Sequence, residues 1–206
     1  MASLALIVEG GEVEAFPLLM RRLLHGMERY DISCSRPKNA HGCGNLTKAG
    51  GLEKFVQYCL LDKSCEGILI LMDCDKVCPV DLAREFVTRV RVLNPAIPVA
   101  VCIANHEYEA WFVASSKELC EVGLRLPADF QYPADVDAIG SPKAWIDSRM
   151  GSDGYSETMD QPRFTSRINF ERAAELSRSF RHLRSALGSL LQSVDSGVAE
   201  VIPTGL

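Results

Sequence analysis

Three stretches of this chain are apolar from end to end and have the length of a strand: SLALIV (residues 3–8), GILILM (67–72) and IPVAVCIA (97–104). A strand with one wet face alternates polar and apolar residues, so strands that do not alternate must be covered on both faces. The segments between them carry the helical period. Val13, Phe16, Leu19, Met20, Leu23, Leu24 and Met27 share one broad face, and Phe55, Val56, Cys59 and Leu60 another. PVDLAREFVTRVRVL (79–93) reads as a third helix, with Asp81 near its positive end. DISCSR (31–36) is a short strand, PKNAHGCGNLTKAGG (37–51) a loop, and HEYEAWFVASSKEL is helical from about Glu107. Strand followed by helix, about four times, predicts an α/β fold: a mostly parallel central sheet with helices on both faces.

The pattern changes after about residue 125. LPADFQYPADVDAIGSPKAW is loop-rich, MGSDGYSETMDQPRF is polar, and NFERAAELSRSFRHLRSALGSLLQSV reads as one long helix or two shorter ones. The expected organisation is an α/β core over residues 1–125. A loop-rich and helical C-terminal extension, 126–206, packs on it within a single domain. The tail GVAEVIPTGL is expected to be loosely held.

A chain of 206 residues that is 47% hydrophobic is long and apolar enough for a full core. Its net charge of −5 argues against a protein that coats nucleic acid through a broad basic surface. A nuclease whose acidic site is neutralised by metal ions remains compatible. No apolar run reaches the length of a membrane span, and Glu9 arrives too early for a signal peptide. The eight cysteines include no Cys-x-x-Cys pair, and Cys59, Cys74 and Cys102 sit in apolar segments, as reduced core thiols do. Cys74 and Cys78 lack the second pair a zinc site needs. Free thiols point to a cytoplasmic protein.

Ligands of a parallel sheet gather at the C-terminal ends of its strands, and three of the apolar strands run into acids there. The first ends at Glu9, with Glu12 in the turn after it; the next at Asp73 and Asp75; the last near Glu107 and Glu109. Each pair alone has an ordinary reading: a solvated turn, a cap, or first-turn acids such as Glu14 and Glu107 facing a helix dipole. The fold makes the coincidence informative by bringing these ends together. Residues two apart on a strand share a face at about 6–7 Å, so Asp73 and Asp75 can face one cation, or two spaced about 3.5–4 Å apart. Crowded carboxylates repel and some take up protons unless a cation intervenes. An all-oxygen set favours Mg²⁺ or Mn²⁺ over zinc.

LIVEGGEVEAF resembles the first motif of Toprim domains, especially those of OLD-family nucleases, and LILMDCD resembles the Toprim Asp-x-Asp motif. NHEYEAWFVAS and YSETMDQPRFTSRINFERAAELSRSFRHL resemble the Toprim-like bacterial family known as domain of unknown function 4276. The resemblance covers most of the chain and implies a Toprim-like sheet. It implies Glu9 as metal ligand or general acid/base, Asp73 and Asp75 as the metal pair, Glu12 as the second acid of the first motif, and Glu109 as the acid after the fourth strand. The implied chemistry is metal-assisted phosphodiester hydrolysis in DNA or RNA, in the setting of phage defence. The chain has no Walker motif, so a nucleotide-driven step would need a separate ATPase partner.

Lys143 in GSPKAW is read either as a group stabilising charge on phosphate, a role the resemblance to OLD-type nucleases suggests, or as a solvated loop lysine. Arg178, Arg181 and Arg184 recur at spacing three on the last helix; they either track a nucleic-acid backbone or line a solvated face. Lys38, His41 and Lys48 carry the same two readings. Trp111 is a core residue before it is a stacking platform, and His25 and His182 have no partner that suggests catalysis. Three functions follow in order: a metal-dependent nuclease, a non-catalytic subunit binding a partner ATPase or nucleic acid, and another phosphoryl-transfer enzyme on the same site.

Overall fold

The computed structural model describes residues 2–74, 77–152 and 154–204. In chain order the elements are β1 (Ala2–Val8), α1 (Ala15–Gly26), β2 (Ile32–Cys34), β3 (Lys38–Asn39), α2 (Cys43–Thr47), α3 (Gly51–Leu60), β4 (Cys65–Cys74) and α4 (Pro79–Leu93). There follow β5 (Val99–Asn105), α5 (Ala110–Ala114), α6 (Ser116–Leu119), α7 (Pro142–Asp147), α8 (Glu157–Thr165), α9 (Phe170–Leu176), α10 (Arg178–Ser196) and β6 (Val201–Ile202).

The strands form one sheet in the order β2-β1-β4-β5-β6, and β3 pairs with β1 as well. Every strand pairing is parallel. The three apolar runs are β1, β4 and β5, the middle of this sheet. Their side chains alternate between two cores. Leu4, Leu6, Val8, Leu69, Leu71, Ala100 and Cys102 pack with α1, α5 and α10. Ala5, Ile7, Ile68, Ile70, Met72, Val99, Val101 and Ile103 pack with α3 and α4. Apolar residues at every position are thus what a strand sandwiched between two helical layers requires.

The order of connection reverses beside β1. The chain moves from β1 out to β2 on one side, then returns to place β4 on the other. Such a switch opens a crevice at the C-terminal edge, where no crossover covers the strand ends. Glu9 follows β1 and Asp73 is the penultimate residue of β4, so the crevice is walled by acids.

Three expectations are revised. The tail is not loose: Val201 and Ile202 pair with Val99 and Ala100 as an edge strand, and both are buried. Lys38 and Asn39, expected in a loop, add β3 to β1. The polar stretch after residue 150 contains a nine-residue helix, α8, packed on α1. The C-terminal segment resolves into two helices, because Ser177 leaves helical geometry and caps α10 through the amide of Phe180. No helix among the described residues is long and apolar enough to cross a membrane.

Candidate functional site

Glu9 sits where β1 ends, and its carboxylate ties two segments together. Oε1 accepts from the amide of Cys43 at 3.1 Å and Oε2 from the amide of Asp73 at 3.2 Å. The loop before α2 approaches because Gly42 adopts a φ of 113°, a conformation side chains disfavour, and donates its own amide to the Glu9 carbonyl at 2.8 Å. Glu12 follows in a single 3-10 turn, Gly11–Val13, and is buried; its Oε2 accepts from the Gly10 amide at 3.1 Å.

Asp73 is the centre of the cluster. Strand alternation turns it to the same side as Leu69 and Leu71, while Cys74 packs into the opposite core. Its Oδ1 is buried and accepts no hydrogen bond from any described residue. Burial pushes its carboxyl well above the ordinary value, and the charges of Glu12, Glu109 and Glu9 push the same way, with Lys143 opposing. Glu12 is raised by burial, with its own and the Gly10 backbone opposing and Glu157 adding repulsion. Glu109 is raised by burial, countered by Lys143, Tyr155 and Gln161.

Glu109 reaches the cluster because His106, at φ 62°, turns the chain sharply after β5. Only 1% exposed, Glu109 is held from behind. Its Oε1 accepts the Tyr155 hydroxyl at 2.9 Å and Gln161 Nε2 at 3.1 Å. Gln161 Oε1 is buried without a partner among the described residues. Tyr155 precedes α8 and Gln161 lies on it, so this helix is the back wall of the site.

Lys143 is not a loop lysine. It lies in the first turn of α7, with its backbone amide donating to Glu107 Oε2 at 2.7 Å. Its ammonium pairs with Glu157 of α8. Desolvation opposes its charge, but the bond to Glu157 and the charges of Glu109, Glu157 and Glu107 outweigh that and raise its pKa. Glu107, expected as a helix-start acid, instead fixes α7. Glu157 lies against the turn after β1: a Cβ on Gly11 would meet Glu157 Oε2 at 2.5 Å. The glycine is what admits this fifth carboxylate.

The structure therefore gathers Glu9, Glu12, Asp73, Glu109 and Lys143 at one crevice. Asp75 lies outside the described residues. Tyr155, Glu157 and Gln161 belong to the site and were not singled out by sequence reasoning. The available signal was the cap of α8, where Ser156 Oγ accepts from Met159 N and Asp160 Oδ2 accepts from Ser156 N. That reciprocal cap marks a helix start in a stretch whose polarity otherwise suggests a loop.

Among the described residues, Arg178, Arg181 and Arg184 bond to none of the crevice acids. Arg178 pairs with Asp137 at 3.5 Å and Asp135 at 3.8 Å. Arg181 donates to the carbonyls of Ala174 and Glu175 at the end of α9, and Arg184 pairs with Glu171. All three are engaged in fastening α10 to its neighbours. Lys38 lies over the Tyr58 ring, Lys48 bonds Asn45, and Trp111 is buried with its Nε1 on Ser179 Oγ.

The buried Oδ1 of Asp73 without a donor among the described residues, on a carboxyl raised by burial and by the charges of Glu12, Glu109 and Glu9, fits a hard cation bound through oxygen. Among the described residues, no three His, Cys, Asp or Glu side chains are arranged as a finished metal cage.

A family model described as "Domain of unknown function (DUF4276)" matches residues 8–188. Among solved structures, the C-terminal region of the Burkholderia pseudomallei OLD protein matches at 16% identity and a TM-score of 0.42, over 94% of this chain and 99% of that one. No curated protein matches the chain.

Proposed function

Since the chain belongs to the DUF4276 family, whose description names no activity, its function has to be read from the crevice, and we propose a Toprim-type, divalent-metal-dependent nuclease that hydrolyses phosphodiester bonds in DNA or RNA. The observation that carries this reading is Asp73. It is a half-buried residue at the switch point of a parallel sheet, with one buried, unpartnered carboxylate oxygen and three further acids bearing on its charge. Protein interiors rarely tolerate that arrangement without a cation or a proton. The resemblance of the motifs around Glu9 and Asp73 to the Toprim pattern supports the same reading.

Glu9 and Asp73 would hold Mg²⁺ or Mn²⁺, with Asp75, Glu12 and Glu109 as the other candidates. When bound, the metal lowers the pKa of a water and offsets charge on the phosphate. The chain's own residues do the rest. Lys143 supplies a cation at the rim, placed to neutralise charge on a non-bridging phosphate oxygen once it exchanges Glu157 for substrate. Tyr155 and Gln161 fix one oxygen of Glu109, leaving the other to face the crevice. The buried walls of β1, β4 and α8 keep bulk water from the strand ends.

Calorimetry with Mn²⁺ and Mg²⁺ on the wild type and on Asp73→Asn tests the metal. Cleavage of labelled DNA and RNA, with Glu9→Gln as control, tests the chemistry. Equal metal binding by Asp73→Asn would remove the basis of the proposal.

A second reading rests on a different observation. Lys143 is already neutralised by Glu157. That favours a non-catalytic subunit binding a partner ATPase or nucleic acid, in phage defence or elsewhere. Nucleic-acid binding without turnover in either metal would select it.

A further inference from the structure

Most arginines of this acidic chain are spoken for by carboxylates. Arg125 and Arg149 are not: among the described residues neither guanidinium has an acidic partner. They are also neighbours. The Arg125 amide donates to the Arg149 carbonyl at 2.8 Å, and Arg125 Nη2 lies 3.1 Å from where a Cβ on Gly151 would stand. The Arg125 head is therefore folded over the turn that carries Arg149.

Arg149 is itself pre-set. Its guanidinium lies 3.9 Å from the centroid of the Trp145 ring, and its Nη1 donates to Trp145 O and Ser148 Oγ, both at 2.9 Å. Phe130 packs edge-on against the same indole, at 6.0 Å. Among the described residues, Nη2 and Nε of Arg149 meet no acceptor. The two arginines line one depression of 540 Å³ together with Leu126, Pro127, Ser148 and Met150, and no acid among the described residues lines it. The nearest acid in sequence, Asp147, turns its Oδ1 to the amide of Tyr155.

We infer that this depression is a phosphate-backbone site, which holds a polynucleotide on the flank of the acidic crevice. It rests on the nuclease reading for its substrate class but not for its evidence. Planar guanidiniums without acids bind phosphate through paired N–H groups, and one held flat on an indole loses little freedom in doing so. The placement gives the length. Lys143 opens α7 and Arg149 lies just past its end, so the two are about 9 Å apart along the helix axis. The axial rise of one duplex strand is about 3.4 Å per phosphate, so a strand laid along α7 passes Lys143 and Arg149 within a few nucleotides. The site also answers an electrostatic difficulty, since a cluster of carboxylates repels nucleic acid and needs a cationic hold nearby.

The test is binding of a fluorescein-labelled single-stranded 12-mer, DNA and RNA, by the full chain in chelator, where no cleavage intervenes. Arg125→Ala and the double variant Arg125→Ala/Arg149→Ala are compared with Arg84→Ala, which removes an exposed arginine of α4. The expected result is a loss of about tenfold for the single variant and a hundredfold for the double. The log–log salt slope should fall by about 0.7 per arginine, while Arg84→Ala binds as wild type. Arg125→Lys should restore part of the affinity, and a thermal melt confirms that the variants fold. Wild-type affinity in the double variant, or no binding by the wild type, overturns the inference. So does equal competition by inorganic phosphate and a 12-mer at matched phosphate concentration, which would mark a free-phosphate site. Turnover of the oligonucleotide with Mn²⁺ by the wild type is scored separately, so failure of the nuclease reading and of this site are told apart.

Discussion

The amide of Asp73 donates to Oε2 of Glu9 at 3.2 Å, across 64 residues of sequence. This bond joins the ends of β1 and β4 at the reversal of the sheet and sets the separation of the two acids. Glu9 therefore has a structural role besides the chemical one proposed for it. Glu9→Ala leaves the amides of Cys43 and Asp73 without their acceptor. An orphaned buried amide costs about 1–3 kcal/mol, and partial exposure here places the expected loss near the lower end. Chemical denaturation should read about 1–2 kcal/mol. Loss of Mn²⁺ affinity should exceed the roughly 10–100-fold typical of residues that only support a ligand. A variant with wild-type metal affinity would take Glu9 out of the metal set.

The acids predict an inverted pH profile for the metal-free chain. Asp73, Glu12 and Glu109 are all raised, first by burial. A carboxyl raised on folding adds stability that is complete below its unfolded value, near pH 4, and is lost as pH rises through its folded value. Acids lowered on folding, such as Glu53 beside Arg89, act below that window. Melting temperatures in chelator should therefore fall between about pH 4.5 and 8. Asp73→Asn should flatten the fall and make the variant the more stable protein at pH 8, at the expense of metal binding. Saturating Mn²⁺ should lift the wild type and leave Asp73→Asn unmoved. A wild-type curve that rises across the window would contradict the crowding of these charges.

Tyr155 and Gln161 act on Glu109 from behind, so their loss should weaken function without abolishing it. Tyr155→Phe keeps the ring packed near Phe164 and deletes only the hydroxyl that Glu109 accepts. The expected cost is about 10–100-fold in metal affinity or turnover, with Gln161→Leu similar and the pair non-additive because both serve one oxygen. Calorimetry with Mn²⁺ decides this independently of turnover. An unchanged Tyr155→Phe would mean that Glu109 is positioned by burial alone.

How much of this was legible before the structure follows from how each part is encoded. β1, β4 and β5 announce themselves because burial on both faces forces every residue to be apolar. The acids at their ends could be placed because a parallel sheet collects its strand ends on one side. β6 is two residues long, too short for any period, and exists only because β5 offers a partner. α8 escaped because its buried residues include Asp160 and Gln161, polar groups whose burial makes sense only opposite Ser156 and Glu109. The Arg178, Arg181 and Arg184 series was visible as a stripe, but spacing could not show that Asp135 and Asp137 engage Arg178 or that α9 supplies acceptors to the other two.

The edge strand gives the last prediction. Ile202 is 3% exposed and lies opposite Ala100, in the core that α10 closes. Arg91 on α4 donates to the carbonyls of Pro203 and Thr204, fastening the strand from the other face. Truncating a buried isoleucine usually costs about 2–5 kcal/mol, and an edge position that can relax toward solvent should fall near 2. Ile202→Ala is therefore expected to lower the unfolding free energy by about 2 kcal/mol, read as a urea midpoint lower by about 1 M at unchanged slope. Its Mn²⁺ affinity should match wild type, because β6 pairs with the opposite end of β5 from the acidic crevice. A negligible change in midpoint would return the tail to a loosely held segment.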